Sequence, residues 1–177
     1  MATIIDVHNL AVELLNKTYE IVSFNGSHHT VNPAKDLGYT FKFDNSKRRF
    51  GCCNYSRKTI SLSKELCRLN LDKIDGRIKD CILHEISHAI CVHIYGRIDG
   101  RGHGENWREI LLTLGGDGRR CYDGNKVNKP KAKYTLTCPT CEKEASRHRM
   151  PKNGIACGSC CDGEYNEEHR FIVTQNH

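Results

Sequence analysis

The sequence has no long hydrophobic run and no export signal. Its 177 residues contain no stretch close to the roughly 18 consecutive apolar residues that a membrane-spanning helix requires. The first residues, 1–17, lack the cationic region, apolar core and small-residue cleavage site of a secretory signal peptide. We therefore expect a protein that is neither membrane-bound nor secreted, in a cytoplasmic or nuclear compartment.

Aromatic residues are scarce, at 7% of the chain, and hydrophobic residues make up 38% against 27% charged residues. A chain of this length and composition can bury one ordinary core, or a medium core with a small module beside it. Cysteine, in contrast, is frequent, with 11 residues. Because this number is odd, no export signal is present and four cysteines stand at metal-ligand spacing, we expect reduced thiols and bound metal instead of a disulfide framework.

The segment 72–95 has the clearest periodicity in the chain. Isoleucines recur every four residues and form one apolar face of a predicted helix, at Ile74, Ile78, Ile82, Ile86, Ile90 and Ile94. The segment also contains His84-Glu85-Ile86-Ser87-His88, in which two histidines four residues apart can reach one metal ion from one face. A carboxylate beside the first histidine can take a proton from a metal-activated water without binding the metal itself. This pattern is typical of zinc peptidases.

The remaining segments predict a mixed fold. We expect a first helix at 6–22, a loop at 25–38, and a third helix that begins near Glu105 and ends at Gly115-Gly116. Three short strands are predicted at 39–44, 49–55 and 58–63. The predicted fold class is therefore α+β, with a small antiparallel sheet packed on helices that carry an HExxH zincin site, followed by a small zinc ribbon.

A catalytic zinc site needs a third protein ligand, because such sites use three and keep one position for water. One zincin pattern would place this ligand six residues after the second histidine, but that position is Ile94. The candidates are His93, His103, Glu105 and Glu109. His93 is disfavoured because it lies about 7.5 Å further along the helix than His88. We favour His103, which the glycine-rich loop 96–104 can bring back over the helix.

Two cysteine pairs near the end of the chain predict a structural zinc site. Cys138-Pro139-Thr140-Cys141 and Cys157-Gly158-Ser159-Cys160 are separated by 15 residues, as in a four-thiolate ribbon. Cys161 is an alternative to Cys160 as the fourth ligand, and a redox dithiol is the competing interpretation. A segment of about 40 residues buries too little apolar surface to fold alone, and zinc binding would supply the missing free energy.

Positive charge is concentrated in one part of the chain. The net charge is +6, but residues 118–152 alone carry +7 and the remaining residues sum to −1. We expect nucleic-acid contacts from the basic residues of this region, Arg119, Arg120, Lys126, Lys129, Lys131, Lys133, Arg147 and Arg149. The alternative is a solvated, disordered linker. The predicted organisation has three parts, a metallopeptidase domain, a basic linker and a zinc ribbon with a C-terminal tail, at 1–117, 118–133 and 134–177.

The order His84-Glu85-Ile86-Ser87-His88-Ala89, a loop, and then His103-Gly104-Glu105-Asn106-Trp107 at the start of a helix resembles the SprT-like, or Spartan-related, zinc metallopeptidases. The strand-like segment 51–66 resembles the family's segment before the active-site helix, and bacterial members carry a C-terminal zinc ribbon. The resemblance implies that His84, His88 and His103 are zinc ligands and that Glu85 is the catalytic residue. It also implies that the substrate is a protein crosslinked to DNA.

We therefore expect a zinc-dependent endopeptidase that acts on DNA-associated or DNA-crosslinked proteins, with one catalytic and one structural zinc. The expected partners are a protein substrate and DNA, but no membrane, and the protein would lie with the nucleoid or in the nucleus. One rival hypothesis is a non-catalytic, zinc-containing nucleic-acid-binding or regulatory protein. Another is an ordinary metallopeptidase whose ribbon binds a protein.

Overall fold

The computed structural model describes residues 1–23, 25–120 and 127–176. The chain divides into two compact units, Met1–Lys129 and Pro130–His177, and this division falls inside the segment 118–133 that was predicted as a linker. Within the described ranges, no helix combines the length and the apolar character needed to cross a membrane.

The first unit contains four α-helices and five strands within its described residues. In chain order they are α1 (Ile4–Asn16), β1 (Tyr19–Val22), β2 (His28–Val31), β3 (Thr40–Asp44), β4 (Gly51–Asn54), β5 (Thr59–Ser63), α2 (Lys64–Arg68), α3 (Lys79–Asp99) and α4 (Glu105–Thr113). A 3₁₀ turn at Leu71–Lys73 and a π turn at Ile74–Ile78 lead into α3. The fold is a mixture of helices and small sheets, as predicted.

The first helix is shorter than the prediction of 6–22. It starts with a capping box, in which the Thr3 hydroxyl accepts from the Asp6 backbone N–H and the Asp6 carboxylate accepts from the Thr3 backbone N–H. The helix ends at Asn16, and β1 replaces the last residues of the predicted helix. It pairs antiparallel with β2, which lies in the segment predicted as a loop. β-Branched and aromatic residues such as Tyr19 and Ile21 favour this hairpin over further helix.

The predicted antiparallel sheet is wrong in one pairing. The strand order is β3-β5-β4, and β3 runs parallel to β5 while β4 runs antiparallel to it. Every residue of β5 is buried, whereas β3 and β4 are only partly buried. The most buried strand takes the centre because its backbone groups then find partners on both edges. The chain reverses direction between β3 and β4 and again between β4 and β5, so β3 on the other edge runs parallel to β5.

The helix α3 forms the middle of the core. The isoleucine stripe behaves as the periodicity predicted, although its first two members lie in the π turn before α3. Ile78, Ile82, Ile86 and Ile90 are fully buried, and Ile74 and Ile94 pack partly buried against the core. Near its end Gly96 has a positive φ of 76°, which breaks the helical path. Gly100 then approaches the helix so closely that a Cβ would lie 2.6 Å from the carbonyl oxygen of Cys91. This tight turn leads the chain towards α4.

The segment after α4 returns to the first unit. The helix α4 begins at Glu105 as predicted, buries Trp107, and is followed by Gly115 with a positive φ of 89°. Further on, the fully buried Asn70 exchanges two 2.9 Å hydrogen bonds with the backbone of Asn128. Because Val127 is also buried, residues 127–129 belong to the folded unit and not to a free linker.

The second unit is a small three-stranded antiparallel sheet. Its strands are β6 (Tyr134–Thr137), β7 (Glu144–Arg147) and β8 (Ile172–Gln175), in the order β7-β6-β8. Three side chains of its described residues are fully buried, those of Leu136, Cys138 and Cys157. Such a small core leaves most of the folding free energy to another source, which in domains of this size is commonly a metal.

Candidate metal sites

Three histidine side chains converge in the first unit. His84 and His88 lie one turn apart on α3, and His103 comes from the loop between α3 and α4. The Nε2 atom of His103 lies 3.0 Å from Nε2 of His84 and 3.2 Å from Nε2 of His88. The structure therefore brings His103 to the two histidines of the helix. Glu105 and Glu109, the sequence alternatives, are exposed on α4, and neither they nor His93 joins the group of three.

The donor set fits zinc. Two nitrogens held about 2.0–2.1 Å from one tetrahedral ion lie about 3.3 Å apart, close to the two distances above. Burial, followed by the charge of the neighbouring histidines, lowers the pKa of His84 to about 4 and that of His88 to about 3. Burial and then the charge of Arg120 lower the pKa of His103 as well. Neutral imidazoles are the form that binds metal, so the site is prepared for a cation.

Trp107 forms an aromatic wall against all three imidazoles. Its ring stacks on His88 with centroids 5.3 Å apart, and it meets His84 and His103 edge to face at 4.7 and 4.5 Å. The side chain is 2% exposed, as expected for a core residue. From the sequence, the spacing of Trp107 with Ile110, Leu111 and Leu114 predicts a core position alone. The His-Gly-Glu-Asn-Trp order was the available signal that this residue also lies beside the histidines.

The Arg119 backbone, which is not part of the histidine cluster, contacts the imidazole of His84. The imidazole of His84 is hydrogen-bonded to the Arg119 backbone, which partly offsets the lowering of the His84 pKa by burial. Histidines that bind metal through one nitrogen usually donate the other N–H to a carbonyl or carboxylate, which fixes the ring orientation. Sequence reasoning missed this contact, because 35 positions of chain separate the two residues and no local pattern links them.

Glu85 is buried between α3 and the edge strand β4. A Cβ at Gly51 would lie 2.6 Å from Glu85 Oε1, so the carboxylate occupies space that only glycine leaves open. Burial raises the pKa of Glu85 to about 7, opposed by a hydrogen bond with the Cys53 backbone and by the positive charge of Arg49. A carboxyl group with a pKa near neutrality can both take and return a proton.

The histidines and Glu85 line one cleft of about 360 Å³. The loop before β4, the π turn, α3 and the segment after α4 form its walls. The described lining residues are Arg48, Arg49, Phe50, Gly51, Arg77, Asp80, Cys81, His84, Glu85, His88, His103, Asp117, Arg119 and Arg120. The predicted acid–base group and the three predicted ligands therefore share one solvent-accessible space, where a substrate could reach both.

Four cysteines form a second cluster, in the second unit. The Sγ atoms of Cys138 and Cys160 lie 3.9 Å apart, and those of Cys141 and Cys157 lie 3.7 Å apart. Thiolates on a tetrahedral zinc at about 2.3 Å would be about 3.8 Å from one another. The structure brings Cys160 to this cluster and leaves Cys161 outside it.

The backbone around the first cysteine favours a thiolate. Although burial opposes it, hydrogen bonds from the backbone of Cys141 and Thr140 lower the pKa of the Cys138 thiol. The thiolate is the form that binds zinc. The four-cysteine cluster is thus compatible with a zinc ribbon.

The basic residues predicted to contact nucleic acid are divided between the two units of the chain. Arg119 and Arg120 line the cleft of the first unit, and Lys129 ends that unit. Lys126 lies outside the described residues. The others belong to the second unit, at Lys131, Lys133, Arg147 and Arg149. There the Lys133 ammonium lies 5.7 Å from the centre of the Tyr134 ring, and Tyr134 pairs with Arg147 across the sheet.

The fold and both clusters define an α+β protein with two sets of side chains suited to zinc. The SprT-like family model matches residues 15–127, and the chain belongs to the SprT-like family, which is related to the zinc metallopeptidases. It is similar to Protein SprT from Pasteurella multocida (strain Pm70), with 26% identity over 106 residues. That match covers 56% of this chain and 63% of the relative, so the chain spans less than two thirds of the relative's length. The comparison with solved structures gives no significant match.

Proposed function

We propose that this protein is a zinc-dependent endopeptidase that acts on DNA-associated or DNA-crosslinked proteins. The observation that carries the proposal is the convergence of three neutral imidazoles, at Nε2 distances of 3.0 and 3.2 Å, in a cleft that also holds the buried carboxylate of Glu85. Three protein ligands with an accessible position beside them are typical of a catalytic zinc site and not of a structural one. Membership of the SprT-like family supports the same assignment.

His84, His88 and His103 would hold the metal through Nε2. When bound, zinc supplies Lewis-acid chemistry, which lowers the pKa of a water and polarises a substrate carbonyl. Glu85 takes the proton from the attacking water at its carboxylate, and its burial makes this group basic enough at neutral pH. The same carboxyl group then returns the proton to the leaving amine. Trp107 packs on the imidazoles and restricts their rotation.

The second unit and the basic residues beside it would bind DNA. Lysine and arginine contacts to phosphates supply sequence-independent affinity, and they would hold the enzyme close to proteins on the same strand. The residues proposed for this role are Lys129, Lys131, Lys133, Arg147 and Arg149, with Lys126 between the described ranges. The four-cysteine cluster would bind a structural zinc that keeps this unit folded.

The test is cleavage of a DNA-binding protein, measured with and without DNA, by the wild-type protein and by Glu85→Gln. We expect DNA-stimulated cleavage by the wild type, and none by Glu85→Gln at unchanged zinc content. Cleavage by both forms would remove Glu85 as the base. Absence of cleavage by either, with zinc bound, would favour a non-catalytic nucleic-acid-binding protein. Cleavage at the same rate with and without DNA would support a peptidase but contradict the proposed role of DNA.

A further inference from the structure

The cleft that holds the three histidines is rich in arginine. Five guanidinium groups line it, those of Arg48, Arg49, Arg77, Arg119 and Arg120. Among the described lining residues, the acidic side chains are Glu85, Asp80 and Asp117. The lining is therefore positively charged before any metal is considered, and a divalent cation on the histidines would increase this charge.

Two of the five arginines have an acidic partner within the protein. Arg49 donates to the Asp44 carboxylate at 2.7 Å, and Arg77 lies 4.0 Å from Asp117. The first pair connects the cleft to β3 and the second joins two of its walls, and both neutralise part of the charge. A substrate would gain little from them, because their guanidinium groups already have partners.

The other three arginines are available to a ligand. The structure shows no ion pair to a described residue for the side chains of Arg48, Arg119 and Arg120, and all three are exposed. They come from two separate segments, the loop that leads into β4 and the chain that follows α4. Arg120 lies close enough to His103 for its charge to act on that ring. The three guanidinium groups thus line the same cleft as the residues that would perform the chemistry.

We propose that this cleft selects polypeptide segments that carry Asp or Glu side chains near the peptide bond presented to the three histidines. Arg48, Arg119 and Arg120 would be the residues that determine this preference. The inference rests on the proposed function in taking a polypeptide as the occupant. A planar guanidinium binds a carboxylate through two parallel hydrogen bonds, which gives orientation as well as affinity.

A peptide fits these observations better than a nucleic-acid strand. The arginines share one cleft of about 360 Å³ with His84, His88, His103 and Glu85. An extended peptide advances about 3.3 Å per residue, so side chains one or two residues from the scissile bond can reach this lining. A phosphate strand at the same arginines would compete with the peptide for the space in front of the histidines.

The test uses the full-length protein with the Glu85→Gln substitution, so that peptides bind without being cleaved. Three short fluorescent peptides share an uncharged centre and carry Glu, Gln or Lys on either side of it. Binding is measured by fluorescence anisotropy at low and at high salt. We expect the Glu peptide to bind roughly tenfold more tightly than the Gln peptide, the Lys peptide to bind least, and the difference to shrink with salt.

The arginine substitutions assign this preference to the cleft. Arg48→Gln alone should reduce the Glu-to-Gln ratio about threefold, and the triple change with Arg119→Gln and Arg120→Gln should abolish it without weakening the Gln peptide. Arg57→Gln, an exposed arginine of the β4–β5 turn outside the cleft, is the matched control and should leave the ratio unchanged. Zinc content and circular dichroism show whether each variant is folded.

Three results would overturn the inference. They are equal affinity for the Glu and Gln peptides, a preference for Lys, or a ratio that survives the triple substitution. A single-stranded oligonucleotide that displaces the peptide, and whose own affinity falls in the triple variant, would assign the arginines to nucleic acid instead. Failure of the proposed function can be distinguished from failure of this inference. If the wild-type protein cleaves no substrate but the preference for the Glu peptide holds, only the peptidase assignment is wrong. If the wild-type protein cleaves Glu and Gln peptides equally well, only this inference is wrong.

Discussion

Gly51 of β4 lies directly against the side chain of Glu85 on α3. A Cβ at Gly51 would stand 2.6 Å from Oε1, 2.9 Å from Cγ and 3.1 Å from Cδ of Glu85. The first two distances are shorter than real Cβ contacts, so the Glu85 side chain can occupy this position only because residue 51 has no side chain. The position of the carboxylate relative to the histidines thus depends on a glycine from another element.

Gly51→Ala should displace the Glu85 carboxylate while leaving the three histidines in place. We expect peptidase activity to fall roughly 100-fold with zinc content unchanged, because misplacing a catalytic group by about 1 Å has an effect of that size. Gly76→Ala is the control, since a Cβ there meets no atom within 4 Å. Unchanged kcat/KM in Gly51→Ala would show that the carboxylate does not need this position.

His103→Ala should remove one zinc from the protein. Two histidines on a helix make a much weaker site than three, so we expect the zinc content to fall from about two to about one per chain. Glu109→Ala, which changes an exposed residue of α4, should retain both ions. The measurement is elemental analysis after gel filtration. Two zinc ions in His103→Ala would contradict the role given to this histidine.

The fourth cysteine ligand of the proposed zinc site in the second unit can be identified by a pair of substitutions. Cys160→Ser should lose the zinc of this unit and expose the segment to proteases, because the cluster supplies much of its folding free energy. Cys161→Ser should keep the zinc and the protection, since Cys161 lies outside the cluster. Zinc analysis and limited proteolysis of both variants decide the matter. The reverse pattern would make Cys161 the ligand.

Asp44 should make the stability of the first unit depend on pH. Burial opposes ionisation, but hydrogen bonds from the Ser46 backbone, Arg49 and Ser61 outweigh it and lower the pKa of Asp44. A carboxylate with a lowered folded-state pKa stabilises the fold above its unfolded pKa of about 3.9, and this stabilisation is lost as the pH falls through the folded value.

We therefore expect Asp44→Asn to lower the free energy of unfolding by about 1–3 kcal/mol at pH 7, and by progressively less below about pH 4. Urea denaturation of the wild type and the variant over this range measures the difference. A difference that stays constant with pH would show that the ionised form of Asp44 contributes nothing.

Sequence reasoning succeeded where the relevant geometry is local. The helical period placed His84 and His88 on one face and the isoleucine stripe in the core, because four residues make about one turn. The two cysteine pairs likewise meet in one cluster, and α4 begins at Glu105, where the pattern predicted it. The resemblance to the SprT-like family, which rests on the same short motifs, is confirmed by the family match.

Other features were decided by residues far apart in the chain. The parallel pairing of β3 with β5 follows from the complete burial of β5, which no local pattern of hydrophobicity reveals. The contacts of Gly51 with Glu85, and of the Arg119 backbone with His84, join separate elements.

By itself, then, the sequence determined which side chains could serve as ligands and base, because helix and turn geometry depends on neighbours only a few residues away. Only the tertiary structure decided how closely the strand approaches Glu85 and which arginines enter the cleft. Those distances follow from the packing of the whole core, where every element is positioned by several others at once.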